Sequence, residues 1–129
     1  KAISLEEKDL PLLIDEIPIL AVVASKAEGQ TIIKGASELR IKETDRVFSI
    51  TENLAKLGVD IRAKGDDIII NGSKKRFAGS ASNSFGDHRT AMAMAIAALA
   101  SDGESVIKNT DCINTSFPEF FQVIDYLKK

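Results

Sequence analysis

Charged residues are concentrated in the stretch Leu39–Arg46, where five of the eight side chains carry a charge. Apolar segments flank this stretch on both sides, which predicts a junction between a strand and a helix. A solvated helix start needs only one or two polar caps, so the alternating charges indicate a further role. Arginine suits carboxylate and phosphate groups, lysine acts as a point charge, and carboxylates can transfer protons. The stretch therefore predicts part of a site for an anionic substrate.

Two other junctions carry similar residues. Phe85–Arg89 opens a second predicted helix, and Asp15 precedes a third. The cations close to these helix starts are Lys42, Arg46 and Arg89. A helix N-terminus favours anions, so cations placed there indicate that an anion or nearby carboxylates compensate them. His88, the single histidine, belongs to a residue type that can titrate near neutrality and move a proton.

Each of these residues also has an ordinary structural interpretation. Asp15 suits a plain helix N-cap, and a lone histidine is more often structural than catalytic. The residues that could form simple caps or surface ion pairs are Glu43, Asp45, Arg46 and Arg89. The residues alone therefore predict an anion-binding α+β unit with acid–base groups, and both interpretations stay open.

Hydrophobic periodicity predicts the elements that position these residues. The predicted helices cover 15–27 with Asp15 as cap, 45–57 with Thr44 as cap, 88–100, and a last helix that starts at the capping box Ser116–Glu119. The predicted strands cover 31–35, 59–63, 67–71 and 105–108, and 59–71 forms a hairpin. Residues 10–14 are predicted as an edge strand or a docked extended segment, and 77–84 as strand or extended chain.

The sequence also repeats itself. Glu28–Lys34 aligns with Asp102–Lys108 at an offset of 74 positions, which indicates a duplicated supersecondary unit. Two such units predict an α+β domain whose sheets carry helices on one side, with helix N-termini gathered at one end. The charged stretch corresponds to Asn114–Ser116 in the second unit, where no charge appears. The repeated fold therefore does not require the charges, and function explains them better.

Composition limits the classes of protein. A chain of 129 residues with 44% hydrophobic and 28% charged residues fits one globular domain, and the absence of an initiating Met suggests a fragment. A net charge of -2 argues against a nucleic-acid binder. The single cysteine, Cys112, excludes an internal disulfide and a multi-cysteine metal site. No segment has the length expected of a membrane span, and no metal-ligand cluster is evident.

Four motifs resemble, in the expected order, the signatures of one enzyme family. They are Asp15–Pro18, Leu39–Arg46, Gly86–Arg89 and Thr115–Phe121. The chain is similar over essentially its whole length to the EPSP synthase (3-phosphoshikimate 1-carboxyvinyltransferase) family. The resemblance implies an α+β fold of repeated β-α-β-α-β-β units, the enolpyruvyl transferase or inside-out α/β barrel fold.

The resemblance also implies an organisation and an activity. Residues 1–129 would be the C-terminal portion of a two-domain cytoplasmic enzyme, about half to two-thirds of one domain, with repeat units at about 15–72 and 73–129. The N-terminal domain would be absent, and the chain would be inactive alone. The implied reaction transfers the enolpyruvyl group of phosphoenolpyruvate to the 5-hydroxyl of shikimate 3-phosphate and releases phosphate. It belongs to the shikimate pathway and needs no metal or organic cofactor.

The same resemblance assigns roles to single residues. Asp15 resembles the carboxylate that binds and deprotonates the target hydroxyl, and Lys42 resembles the lysine that contacts it. Glu43 resembles the acid that protonates the phosphoenolpyruvate methylene. Arg46 and Arg89 resemble the arginines that bind the phosphoenolpyruvate carboxylate and phosphate.

Three positions have minor or undefined roles in the resemblance. His88 and Asp87 would support the site by hydrogen bonding. Thr115 stands where some members carry a lysine that contacts phosphate, and no role is assigned to it.

Two alternatives compete with this interpretation. The first is the sister enolpyruvyl transferase that acts on UDP-N-acetylglucosamine, against which the Lys42–Arg46 run argues. The second is a non-catalytic anion-binding module.

Overall fold

A computed structural model describes all 129 residues and confirms the predicted α+β class. The helices are α1 (Leu10–Leu13), α2 (Ile17–Ala24), α3 (Arg46–Lys56), α4 (His88–Leu99) and α5 (Phe120–Leu127). The strands are β1 (Ser4–Leu5), β2 (Gly29–Ile33), β3 (Asp60–Lys64), β4 (Asp67–Gly72), β5 (Phe77–Ala78), β6 (Ala81–Asn83), β7 (Ser101–Asp102) and β8 (Val106–Lys108). Short 3-10 helices cover Glu7–Asp9, Ala36–Ile41 and Thr110–Thr115.

The largest sheet contains four strands in the order β1-β2-β4-β3. Strands β3 and β4 form the predicted antiparallel hairpin, with Ile61 opposite Ile70. Strand β2 pairs antiparallel with β4, and β1 pairs parallel with β2. The rest of the strands form two small parallel sheets, β5 with β7 and β6 with β8.

The core lies between this sheet and helices α2, α3 and α4. It is a cluster of 18 buried hydrophobic residues. The predicted stripe of α3 supplies Val47, Ile50 and Leu54, which are almost completely buried. A second, smaller cluster joins α4 to α5 through residues that include Ile113 and Phe120. Helix α3 thus buries one apolar stripe, as an amphipathic helix does, whereas α4 contributes buried residues to both clusters.

Elements of the two units recur at the offset of 74 positions. The 3-10 helices Ala36–Ile41 and Thr110–Thr115 are related by this offset, as are the first residues of α3 and α5. Each 3-10 helix follows a residue in the left-handed conformation, Gly35 (φ 64°) or Asn109 (φ 60°). The division into units at about 15–72 and 73–129 stays a prediction.

Several predicted element boundaries are wrong. Residues 10–13 form a helix rather than an edge strand or docked extended segment. The helix tolerates Pro11 because this residue lies in the first turn, where its missing N–H has no intrahelical partner. Helix α2 begins at Ile17, and the side chain of Asp15 does not cap it. The N-cap of α3 is Asp45 rather than Thr44. Ser116 does not cap α5, which begins at Phe120 after a turn.

None of the helices is both long and apolar enough to cross a membrane.

Candidate active site

The N-terminal ends of three helices meet around one arginine. Arg46 is the first residue of α3, Asp87 is the N-cap of α4, and Asp15 lies just before α2. Asp15 is 31 positions and Asp87 is 41 positions from Arg46 along the chain. The fold brings both aspartate side chains into hydrogen-bond contact with Arg46. The predicted gathering of helix N-termini therefore produces a compact charged cluster.

Arg46 is the centre of this cluster, and its side chain has no exposed surface. Its Nε donates to Asp87 Oδ2 at 2.7 Å, and Nη2 donates to Asp87 Oδ1 at 3.2 Å. Its Nη1 donates to Asp15 Oδ1 at 3.0 Å, and Nη2 also donates to Glu43 Oε2 at 2.9 Å. Burial would lower the pKa of the guanidinium, but the three carboxylates raise it, so the group stays charged.

Asp87 is the buried partner of Arg46. Besides the two arginine bonds, it accepts hydrogen bonds from the Arg89 backbone N–H at 3.1 Å and from Thr90 Oγ1 at 2.9 Å. Burial alone would raise the pKa of this carboxyl. The hydrogen bonds and the charge of Arg46 outweigh burial and hold the pKa of Asp87 below its ordinary value. An ionised pair is therefore fixed in the interior.

Asp15 lies at the surface of the cluster, with 49% of its side chain exposed. The hydrogen bond from Arg46 lowers the pKa of Asp15, burial opposes the shift, and the charges of Arg89 and Lys42 add to the lowering. Arg89 Nη1 donates to the Asp15 carbonyl oxygen and to Glu16 Oε1, both at 3.0 Å. Asp15 is thus an ionised acceptor with exposed surface and cations on several sides.

Lys42 and Glu43 lie in a bend that follows the 3-10 helix Ala36–Ile41. Lys42 is exposed, and 49% of the Glu43 side chain is accessible. Both side chains can therefore meet a ligand, and the bond to Arg46 fixes the Glu43 carboxylate beside Asp15. The sequence placed these residues in one site, and the geometry is compatible with acid–base chemistry on a bound hydroxyl.

Arg46 is less accessible than its predicted role requires. Its donors are taken up by the buried carboxylate of Asp87 and by the half-exposed carboxylates of Asp15 and Glu43, so in this structure it orients these three side chains. Contact between Arg46 and phosphoenolpyruvate stays a prediction. Arg89, with 32% of its side chain exposed, is the more accessible of the two arginines.

A cleft of about 200 Å³ lies beside the cluster, between α2 and α4. Asp15, Glu16 and Arg89 form its polar end. Its apolar wall consists of Pro18, Ile19, Met92, Ala93, Ile96 and Phe120. The cleft brings solvent-accessible volume directly to the exposed carboxylate of Asp15.

Sequence reasoning missed two polar residues that connect separate elements of the fold. Arg40 bonds to Asp45 and Asp66, although it lies within the charged stretch and was given no role. Asn53 is fully buried in α3, and its side chain exchanges two hydrogen bonds with the main chain of Asn83 in β6. The sequence feature that could have identified Asn53 is its place as a polar residue on the apolar stripe of α3.

Two other positions singled out in the sequence are His88 and Thr115. His88 is half-buried at the start of α4, and its supporting role stays a prediction. Thr115 donates to the Cys112 carbonyl oxygen at 2.8 Å and ends a 3-10 helix. No group of three or more His, Cys, Asp or Glu side chains is arranged to hold a metal ion.

Comparison with known proteins gives a consistent result. The family model described as EPSP synthase (3-phosphoshikimate 1-carboxyvinyltransferase) matches residues 1–124. A curated relative of that name from Syntrophomonas wolfei is 48% identical over 127 residues, which is 98% of this chain and 30% of the relative. A relative from Petrotoga mobilis is 46% identical over 99% of this chain and 30% of its own length. The chain thus spans about 30% of the curated relatives it matches.

Solved structures agree with the sequence matches. EPSP synthase from Acinetobacter baumannii superimposes with a TM-score of 0.92 at 39% identity, over 98% of this chain and 30% of that chain. The enolpyruvyl transferase NikO from Streptomyces tendae gives a TM-score of 0.80 at 19% identity over 99% of this chain and 28% of its own. The second likeness shows a shared fold only. With the family match over most of its length, the chain belongs to the EPSP synthase family.

Proposed function

We propose that this chain forms part of the active site of a 3-phosphoshikimate 1-carboxyvinyltransferase. The reaction would transfer the enolpyruvyl group of phosphoenolpyruvate to the 5-hydroxyl of shikimate 3-phosphate and release phosphate. The observation that carries the proposal is the cluster in which buried Arg46 holds Asp15, Glu43 and Asp87 beside two accessible cations. The names of the matched relatives favour this substrate over UDP-N-acetylglucosamine.

The addition step requires one group to remove a proton and another to supply one. The 5-hydroxyl oxygen bonds to C2 of phosphoenolpyruvate while Asp15 accepts the hydroxyl proton. Lys42 contacts the same hydroxyl and stabilises the developing negative charge. Glu43 supplies a proton to the methylene carbon, which becomes a methyl group, and a tetrahedral intermediate results.

The elimination step reverses one of these proton transfers. The methyl group returns a proton to Glu43, the double bond re-forms, and the bond between C2 and the phosphate oxygen breaks. Inorganic phosphate leaves with the electron pair of that bond and takes up the proton that Asp15 received, which returns Asp15 to its ionised form. Arg89 binds the carboxylate or phosphate of the donor, since a fixed guanidinium group suits both anions. Arg46 would join it after exchanging its bond to Asp15 or Glu43 for one to the donor.

Charge balance indicates that the chain alone holds an incomplete site. The cluster's three cations face four carboxylates, which are Asp15, Glu16, Glu43 and Asp87. A substrate pair with several negative charges needs more cations than this. The proposal therefore includes a separate, N-terminal part of a cytoplasmic enzyme that supplies them and binds most of shikimate 3-phosphate.

Phosphate release tests the proposal. We expect no turnover by residues 1–129 alone and restored turnover when the remaining polypeptide of a full-length relative is added. In the reconstituted enzyme, Glu43→Gln should reduce kcat far more than it weakens substrate binding. Glu52→Gln is the matched control, because Glu52 lies on the exposed side of α3 in a surface pair with Lys56.

Two results would contradict the proposal. Turnover by the isolated chain would refute the incomplete site. Equal kcat for Glu43→Gln and Glu52→Gln would remove Glu43 from the mechanism.

A further inference from the structure

The turn at the tip of the β3–β4 hairpin holds both ends of the 3-10 helix that leads to Lys42 and Glu43. At the start of this helix, Gly35 N–H donates to Asp67 Oδ1 and Ala36 N–H donates to the Asp66 carbonyl oxygen, both at 2.8 Å. At its end, Arg40 Nε donates to Asp66 Oδ1 at 2.8 Å, and Arg40 Nη2 donates to the Gly65 carbonyl oxygen at 2.6 Å. The helix is thus attached to the turn at two points.

Arg40 also reaches beyond the two functional residues. Its Nη1 donates to Asp45 Oδ2 at 3.1 Å, and Asp45 Oδ1 accepts the Phe48 N–H as the N-cap of α3. One guanidinium therefore connects the residues on either side of Lys42 and Glu43 to each other and to the hairpin. Arginine can do this because its donors form a rigid planar fork, whereas lysine offers a point charge.

The contribution of Arg40 to overall stability is expected to be small. Its side chain is 35% exposed, and those of Asp45 and Asp66 are 37% and 48% exposed. Exposed ion pairs of this kind add little to folding stability. The position 74 residues after Arg40 is Asn114, which lies in the equivalent 3-10 helix Thr110–Thr115. No lysine–glutamate pair follows that helix. An arginine at this position is therefore not required by the 3-10 helix and is found only where Lys42 and Glu43 follow.

We infer that Arg40 is a positioning residue, which fixes the segment bearing Lys42 and Glu43 to the Gly65–Asp66 turn and to Asp45. The inference rests on the function proposed above. It gives Arg40 no contact with substrate. A displacement of about 1 Å at a reacting group can reduce a rate roughly 100-fold, so the loss of these contacts should appear in catalysis.

Steady-state kinetics of the full-length enzyme provide the first test. Arg40→Ala should lower kcat at least about tenfold, with a smaller change in KM for phosphoenolpyruvate. Arg40→Lys should lie between Arg40→Ala and the wild type. Arg76→Ala is the matched control, because Arg76 also binds a backbone carbonyl and a carboxylate, Ser101 O and Asp102. It should leave kcat unchanged.

Hydrogen exchange of the same full-length enzyme provides the second test, with a readout that separates positioning from global stability. In Arg40→Ala, peptides covering 36–48 should exchange faster, while peptides from α4 and the urea midpoint stay close to the wild type. Equal exchange in 36–48, faster exchange of all peptides together, or an unchanged kcat would each overturn the inference. If the wild-type enzyme transfers no enolpyruvyl group, the proposed function fails, and the exchange comparison alone decides the inference.

Discussion

Replacing Asp87 with alanine should destabilise the chain strongly, because it leaves a buried charge without its main partner. Asp87 and Arg46 are both fully buried, and two of the four hydrogen bonds of Arg46 go to Asp87. The substitution also removes the N-cap of α4 and the acceptor for Thr90 Oγ1. Water cannot replace these contacts without opening the interface between α3 and α4.

The magnitude follows from burial. Removal of one partner of a buried ion pair costs about 3–5 kcal/mol, which is a large part of the roughly 5–15 kcal/mol that stabilises a typical domain. Asp45 gives a matched comparison, since it caps α3 and pairs with Arg40 but is 37% exposed. Asp45→Ala should cost about 1–2 kcal/mol, from the cap and a weak surface pair.

Urea unfolding followed by circular dichroism measures both values. Asp87→Asn provides a second variant that keeps the shape and an acceptor oxygen but leaves the buried charge of Arg46 without its main partner, so we expect a loss of about 3 kcal/mol. If Asp87→Ala lies within about 1 kcal/mol of Asp45→Ala, the buried pair is not the anchor of the cluster. If Asp87→Ala does not fold, a loss for Asp87→Asn no larger than for Asp45→Ala leads to the same conclusion.

Three further predictions concern stability. Buried Arg46 lowers the pKa of Asp15 and Asp87 in the folded state, so the unfolded state binds more protons in the acidic range. Stability should therefore fall as the pH drops below about 5. Urea midpoints at pH 7 and pH 4 measure this change, and equal midpoints would contradict it. Asn53→Ala removes two hydrogen bonds to the main chain of β6 and should cost about 2–3 kcal/mol, where a loss below about 0.5 kcal/mol on urea unfolding would argue against the link. Gly72→Ala would place a Cβ 1.8 Å from the Ala27 carbonyl oxygen, so we expect a loss of at least about 1–3 kcal/mol, and a wild-type melting temperature would show that the backbone relaxes freely.

Much of the fold could be predicted from periodicity. The stripe of Val47, Ile50 and Leu54 identified α3, and alternation with a glycine turn identified the β3–β4 hairpin. Helix starts were less predictable, because the polar side chains at them have two competing partners. Asp15 bonds to Arg46 across the site instead of capping α2, and only the tertiary structure decides between these partners.

The candidate site was predictable in composition but not in geometry. The charged junction and the family motifs identified Lys42, Glu43 and Arg46 from the sequence. The complete burial of Arg46 could not be predicted, because a charged side chain is seldom fully buried unless it is paired, and predicting the burial requires knowing the partners. Its partners Asp15 and Asp87 are distant in sequence, so the spacing of residues carries no sign of the pairing.

The contact between Asp15 and Arg89 has a consequence that depends on the internal sequence repeat. The two residues are 74 positions apart, so positions related by the repeat offset lie in contact, with opposite charges 3.8 Å apart. In a homodimer that met in this way, symmetry would place identical side chains together, and like charges would repel. Within one chain the two positions carry different residues, so this restriction does not apply. Opposite charges at such a contact are thus open to a repeat within a single chain and closed to a homodimer.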